Sequence, residues 1–130
     1  MQPYDLTIDS LGRLLFWTSS QDVINVTRLD NNTQFGVLVK TEKEKPRLLA
    51  IHETKRFCSY CTVSFLTFKT IYCRLLFYTD VGPLRQLVRT RLDGTHHIVI
   101  TKDADIAAIA VDAENDLIVW SQGQSVYMSN

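Results

Sequence analysis

The stretch RLLFYTD at residues 74–80 echoes RLLFWTS at 13–19, and a looser form, DLIVWSQ, occupies 116–122. The intervals between the copies are unequal. The step from Leu14 to Leu75 is 61, that from Leu75 to Leu117 only 42. A second landmark accounts for the difference. Asp9 precedes Trp17 by 8 and Asp112 precedes Trp120 by the same 8, whereas His52, the matching residue of the middle copy, precedes Tyr78 by 26. Taking out the segment 57–74, directly after Arg56, restores both spacings and leaves a period of 43. Self-similarity at such a period is the signature of a repeat architecture. The chain therefore reads as three copies of one unit, the middle one interrupted at 57–74.

The interrupting segment, FCSYCTVSFLTFKTIYCR, holds all three cysteines of the chain and three of its six phenylalanines, with no Asp, Glu, Gly or Pro. Neither flank has that composition. Lys69 and five Ser or Thr make it too polar to span a bilayer, where a helix needs about 20 mainly apolar residues. Two readings stay open. One is a segment foreign to the repeat, such as translated non-coding sequence; the other is a genuine loop insertion. The compositional break favours the first.

Within each unit the apolar residues fall in short runs rich in β-branched and aromatic side chains, separated by turn formers. LTID, RLLFWT, DVINVTRL and FGVLV make four strands in the first unit. LLFWT is apolar on both faces, since Leu14 and Phe16 point one way and Leu15 and Trp17 the other. Such a strand must be covered on both sides. RLDN and RLDG supply hairpin turns, with Asn31 or Gly94 able to take a positive φ. Four antiparallel strands per unit of that period, with a doubly buried second strand, describe a β-propeller blade. The expected fold is all-β, a propeller fragment of about two and a half four-stranded antiparallel blades. Its units are 1–44, 45–103 with the insertion at 57–74, and a partial blade at 104–130. Two such sheets should stack face to face with Leu15, Phe16, Trp17, Leu76, Phe77, Tyr78, Ile118 and Trp120 in the buried layers.

Bulk properties bound the function. The chain has 130 residues and 45% hydrophobic content, one domain's worth. Its 14 basic and 14 acidic residues cancel, so the basic stripe of a nucleic-acid binder is missing. After Met1, QPYDL has neither a charged nor an apolar leader region, so no signal peptide is expected. The fragment reading places the chain within something longer.

LLFYTD followed by RTRLDGT resembles the YWTD motif and LDG turn of the low-density lipoprotein receptor type of propeller. QPYDLTID, LLFWT, VINVTRLD and KPRLLAI are similar, closer still, to the third extracellular propeller of the Wnt co-receptors among the LDL-receptor-related proteins. The resemblance covers almost the whole chain outside 57–74. It departs from the pattern at FWTS, which lacks the motif aspartate, at VWSQ, which keeps only the tryptophan, and at His52, which replaces an acidic residue. It implies a six-bladed parent on the extracellular side of the plasma membrane, and protein ligands: Wnt proteins and antagonists of the Dickkopf type. Other readings are a YWTD propeller of a lipoprotein receptor or basement-membrane protein and, in a different class, a metal-dependent propeller hydrolase.

Candidate site residues follow from the blade plan. One face of a propeller carries the links between blades and the loops after each second strand. Tyr4 and Arg47, each after a proline at the start of a first strand, belong there, with Asp22, Val81 and Arg85 in the loops; Ala107 fills the matching position of the third unit. Tyr and Arg are common hot-spot residues, although an Arg in a turn is also simply solvated. Asn25-Val26-Thr27 and Asn31-Asn32-Thr33 are glycosylation sequons, and Asn25, on an outer strand and within the resembling string, is favoured.

No catalytic residue, cofactor or metal is expected. Asp9, His52 and Asp112 recur at one position, as axial metal ligands would, but a polar side chain that ends each first strand and bonds the following turn explains the recurrence. His96 and His97 read as a solvated strand end. Cys58, Cys61 and Cys73 are one ligand short of a structural zinc site, and Cys58-x-x-Cys61 lacks the βαβ context of a redox motif.

Overall fold

A computed structural model describes residues 2–30, 35–39, 43–52 and 74–129. Eleven strands, and no helix, form among them. The first antiparallel sheet is β1 (Pro3–Asp9), β2 (Leu14–Ser19), β3 (Ile24–Arg28) and β4 (Phe35–Val39), in that order. The second is β5 (Pro46–His52), β6 (Leu75–Asp80), β7 (Gln86–Arg91) and β8 (Ile98–Thr101). The third has β10 (Leu117–Gln122) between β9 (Ile106–Asp112) and β11 (Ser125–Ser129). Each is a meander of neighbouring strands, as the repeat requires of a propeller fragment.

The interruption does not disturb the middle sheet. β5 and β6 pair with Leu49 opposite Tyr78, Ala50 opposite Phe77, Ile51 opposite Leu76 and His52 opposite Leu75. The first sheet repeats this register with Leu6 opposite Trp17 and Ile8 opposite Leu15. The cysteines and all of 57–73 lie outside the described residues. Arg74, counted with the insertion by the sequence register, is buried at the entry to β6. It stands where Arg13 stands in the first unit, so the blade resumes at Arg74. Because positions 56 and 74 are both arginine, removing 56–73 or 57–74 leaves the same sequence, and spacing alone does not place the border.

Two apolar layers hold the sheets together. Between the first and second, Phe16 and Ile24 pack with Leu49, Leu76, Tyr78, Val88 and Leu92. Between the second and third, Phe77 and Leu87 pack with Ile118 and Trp120. Each fully buried large side chain contributes about 1.5–3 kcal/mol relative to exposure. Side-chain alternation sorts these contacts by a single rule. Phe16 and Phe77, at one repeat position, face the sheet that follows. Leu76 and Tyr78, like Ile118 and Trp120, face the sheet that precedes.

The same rule explains one departure from expectation. Leu15 and Trp17 are half-buried, not enclosed, because they face a preceding sheet and none of the described strands lies there. Leu6 (60% exposed), Ile8 and Val37 share that open face. At the other end of the stack Val119 is half-buried, and Val126 (70%) and Met128 (66%) are exposed.

The turns satisfy the local geometry. Gly94 takes φ +85° in the LDG turn, with its N–H donating to Arg91 O at 2.9 Å. Asp93 caps that turn by accepting from the Thr95 N–H (2.9 Å) and hydroxyl (2.6 Å). Burial pushes the Asp93 carboxyl up, but the Thr95 bonds outweigh it and hold the group below its usual range. Asn31, the other expected positive-φ residue, lies outside the described residues.

Candidate functional site

Proline begins β1 and β5, and the residue after it is Tyr4 in one sheet and Arg47 in the next. Stacking the sheets brings the two side chains together. The Arg47 guanidinium carbon sits 4.3 Å from the Tyr4 ring centroid. Its Nη1 donates to Asp22 Oδ1 and to the Pro46 carbonyl, each at 2.9 Å. Asp22 reaches it from the β2–β3 turn, in the left-handed region at φ 59°. Arg47 therefore bridges the first two sheets and is not simply solvated: its side chain is 23% exposed, against 36% for that of Asp22, and Tyr4 is 46% exposed. A cation held over an aromatic face and fixed by a carboxylate is a rigid element, and the accessible part is the tyrosine.

Arg85 repeats the theme one sheet on. At the position matching Asp22 it also has a positive φ, 43°, and its Nη1 lies 3.1 Å from Oδ2 of Asp105, just before β9. This pair is open, with side chains 49% and 80% exposed. Val81, Arg85, Asp105 and Ala107 line a shallow cleft of about 190 Å³ at the junction of the second and third sheets. All five expected rim residues thus lie along one edge of the sheets, where the first strands begin. The structure brings Tyr4, Asp22 and Arg47 into one cluster and places Val81 and Arg85 in the neighbouring cleft. Asp105 was not anticipated; its signal was an acid one residue before a first strand, opposite a loop arginine.

The YWTD-like motif anchors this rim. Asp80 Oδ1 accepts the backbone N–H groups of Lys45 (2.9 Å) and Gly82 (2.8 Å), and Oδ2 accepts from Gln86 Nε2 (3.2 Å). Thr79 Oγ1 accepts the Leu48 N–H at 3.0 Å. One carboxylate thereby fixes the strand entering β5 to the loop leaving β6. In the first sheet Ser19 replaces it, and its hydroxyl accepts the Gln21 N–H at 3.3 Å while its carbonyl accepts the Asp22 N–H at 3.1 Å. Adjacent sheets are also linked directly. Leu49 N–H donates to Asp5 Oδ2 at 2.8 Å, and the Thr18 hydroxyl donates to the Arg47 carbonyl.

At the opposite edge of the sheets, where the first strands end, lie the three recurring polar residues. Asp9 is fully buried; Oδ1 pairs with Arg74 Nη1 at 3.0 Å and Oδ2 accepts the Gly12 N–H at 3.2 Å. His52 Nε2 lies 3.1 Å from Asp116 Oδ1. Asp112 accepts from Asn115 Nδ2 at 2.7 Å, which holds its carboxyl below the usual range. The turn-bonding role expected of these residues holds for Asp9 and Asp112. A partner in the following sheet, Arg74 for Asp9 and Asp116 for His52, was not foreseen. Among the described residues no three potential metal ligands converge.

Asn25 stands differently from expectation. It lies in β3 but is only 9% exposed, with Nδ2 enclosed and unpartnered, so the nitrogen that would carry a glycan faces into the sheet surface beside Trp17. Asn31 lies outside the described residues. His96 and His97 are exposed, as expected for a strand end; the His97 ring meets Tyr78 edge-on at 6.2 Å. No helix among the described residues is long and apolar enough to cross a membrane.

No family model matches the chain. Among curated proteins it is similar to low-density lipoprotein receptor-related protein 5 of Mus musculus, 29% identical over 118 residues. It is also similar to the protein of that name from Homo sapiens, 28% identical over 118 residues. Each match takes in 89% of this chain and 6% of the relative, so the chain spans a small part of the proteins it matches. The likeness to an LDL-receptor-related propeller, read above from its motifs, is thereby supported over nearly all of the chain. Both relatives are named as receptor-related proteins.

Proposed function

We propose that the chain is a protein-binding propeller segment of the Wnt co-receptor kind, acting at the extracellular side of the plasma membrane within a longer receptor. Its rim at Tyr4, Asp22 and Arg47 engages a Wnt protein or a Dickkopf-type antagonist. The observation that carries the reading is the half-exposed Tyr4 ring backed by an Arg47 that Asp22 already holds. Little side-chain freedom is left to lose on binding, which is how a preorganised surface gains affinity. Val81 and Arg85 extend the same rim, and the open Arg85–Asp105 pair offers a charge that a partner can take over. Motif resemblance and the receptor-related relatives support the class; the ligand follows from the resemblance.

Tyr4→Ala is the cleanest test, because Tyr4 presents surface while Arg47 also ties two sheets together. In a complete propeller carrying this segment, Tyr4→Ala should weaken binding of a Wnt protein or a Dickkopf-type antagonist by about 1–2 kcal/mol, a hot-spot loss. The circular-dichroism spectrum should not change. Arg47→Ala should lose as much binding together with some thermal stability. Unchanged affinity in both variants would remove the rim from the ligand site.

A further inference from the structure

The rim closes one of its two junctions between sheets and leaves the other open. At the first junction the second residue of β5 fills the gap, since Arg47 lies against Tyr4 and is held by Asp22. At the second junction the same position, in β9, is Ala107, and a methyl group is too short to span it. The cleft of about 190 Å³ remains there. Its polar members already have partners. Thr79 Oγ1 accepts the Leu48 N–H, both Asp80 oxygens accept hydrogen bonds, and Arg85 pairs with Asp105 on the solvent side. The rest of the lining is apolar: Val81, Ala104, Ile106 and Ala107. Water in such a cleft finds few free groups to bond, and an apolar guest that displaces poorly held water gains affinity. The walls are set before a guest arrives. Val81 N–H donates to Lys45 O (3.0 Å) and Arg85 N–H to Gly82 O (3.2 Å), while Ala104 N–H ties the approach to β9 to Arg85 O (2.8 Å). Val81 still leaves 47% of its surface exposed, an apolar wall on a loop held by backbone bonds.

We propose that this cleft is a socket for one aliphatic side chain, of leucine or isoleucine size, presented by the protein partner of the rim. The identity of the partner as a protein rests on the rim reading above; the chemistry of the guest rests on the cleft alone. A lysine or arginine guest, which the first junction would suggest, meets the Arg85 guanidinium in the place where Arg47 meets Asp22. An acidic guest meets Asp80 and Asp105. Like charge opposes both, and an uncharged aliphatic group escapes either penalty. A side chain enclosed in a fitted pocket near a rigid wall is also the usual form of an interface hot spot.

The test titrates acetyl-leucine amide into a complete propeller carrying this segment, with valine and isoleucine methyl groups labelled for NMR. The Val81 and Ile106 methyl signals should shift saturably at millimolar probe, and acetyl-alanine amide and acetyl-lysine amide should shift them far less. Ala107→Leu, which fills the cleft from within, should abolish the response. Val81→Asn, which removes one apolar wall, should weaken it several-fold as read at Ile106. Circular dichroism checks that both variants fold. Shifts that do not saturate, shifts that survive Ala107→Leu, or a stronger response to the lysine probe would overturn the socket. No receptor ligand enters these titrations, so their failure is distinct from failure of the rim reading. Affinity for a Dickkopf-type antagonist then joins the two, and Ala107→Leu should weaken it by about 10-fold, a hot-spot loss. Loss with Tyr4→Ala but not with Ala107→Leu would keep the Tyr4 cluster and remove the socket from the interface. The reverse would keep the socket and remove the cluster.

Discussion

Gly94 shows how narrowly single residues are specified in the turns. At φ +85°, a Cβ there would stand 2.8 Å from the carbonyl oxygen of Leu38, so an alanine meets both backbone strain and a clash. Gly94→Ala should lower stability by about 1–3 kcal/mol, seen as a lower urea midpoint at unchanged m. An unmoved midpoint would mean that the turn relaxes freely. Tyr78 offers a test by pH. Burial first, then the Glu44 carboxylate that accepts its hydroxyl at 3.1 Å, push the phenol above its ordinary range. A group whose folded pKa is raised contributes stability that is complete below the unfolded value, about 10, and is lost as pH climbs toward the folded one. Tyr78→Phe should therefore flatten the fall in stability above pH ~10. Parallel profiles for the two proteins would contradict the burial.

Among the elements, β5 and β6 are the informative pair, because they join across residues 53–73. Their register equals that of β1 and β2, so the pairing is the one an uninterrupted unit makes. Closing a longer loop is cheap, about 0.6 kcal/mol for each doubling. Deleting the segment 56–73 should raise soluble yield and leave the strand content unchanged by circular dichroism. Loss of the β-sheet signal would make the segment a structural part of the fold. The strands themselves were legible because LLFWT and LLFYT alternate between two apolar faces, which a period of two reveals directly. The border of the interruption was hidden by the arginine found at both 56 and 74. The rim was legible as a set of positions, but the Tyr4–Arg47–Asp22 cluster was not, because its members come from two sheets and meet only on stacking. The Asp9–Arg74 and His52–Asp116 links escaped for the same reason. Each partner lies in the next repeat, and the acid ends a first strand in one pair but precedes a second strand in the other, so aligning equivalent positions conceals the pairing.

For the molecule as a whole, the covering of sheets decides both stability and use. Only the middle sheet has apolar neighbours on both faces among the described residues, which explains why β6 is buried almost throughout while β2 leaves Leu15 and Trp17 half-buried. Everything proposed for the rim requires that consecutive sheets stack in repeat order, since Tyr4 and Arg47 belong to different sheets. The Asp9–Arg74 pair reports on that stacking. It joins the first sheet to the second across the interruption, and both side chains are buried, at 0% and 5% exposure. A double-mutant cycle with Asp9→Asn and Arg74→Met, read by chemical denaturation, isolates their coupling. Each single change should cost about 3–5 kcal/mol by leaving a buried charge without its partner. The double variant should cost much less than the sum, giving a coupling of about 2 kcal/mol or more. Additive effects, with a coupling near zero, would mean that the first two sheets do not meet as described and that the rim is not assembled.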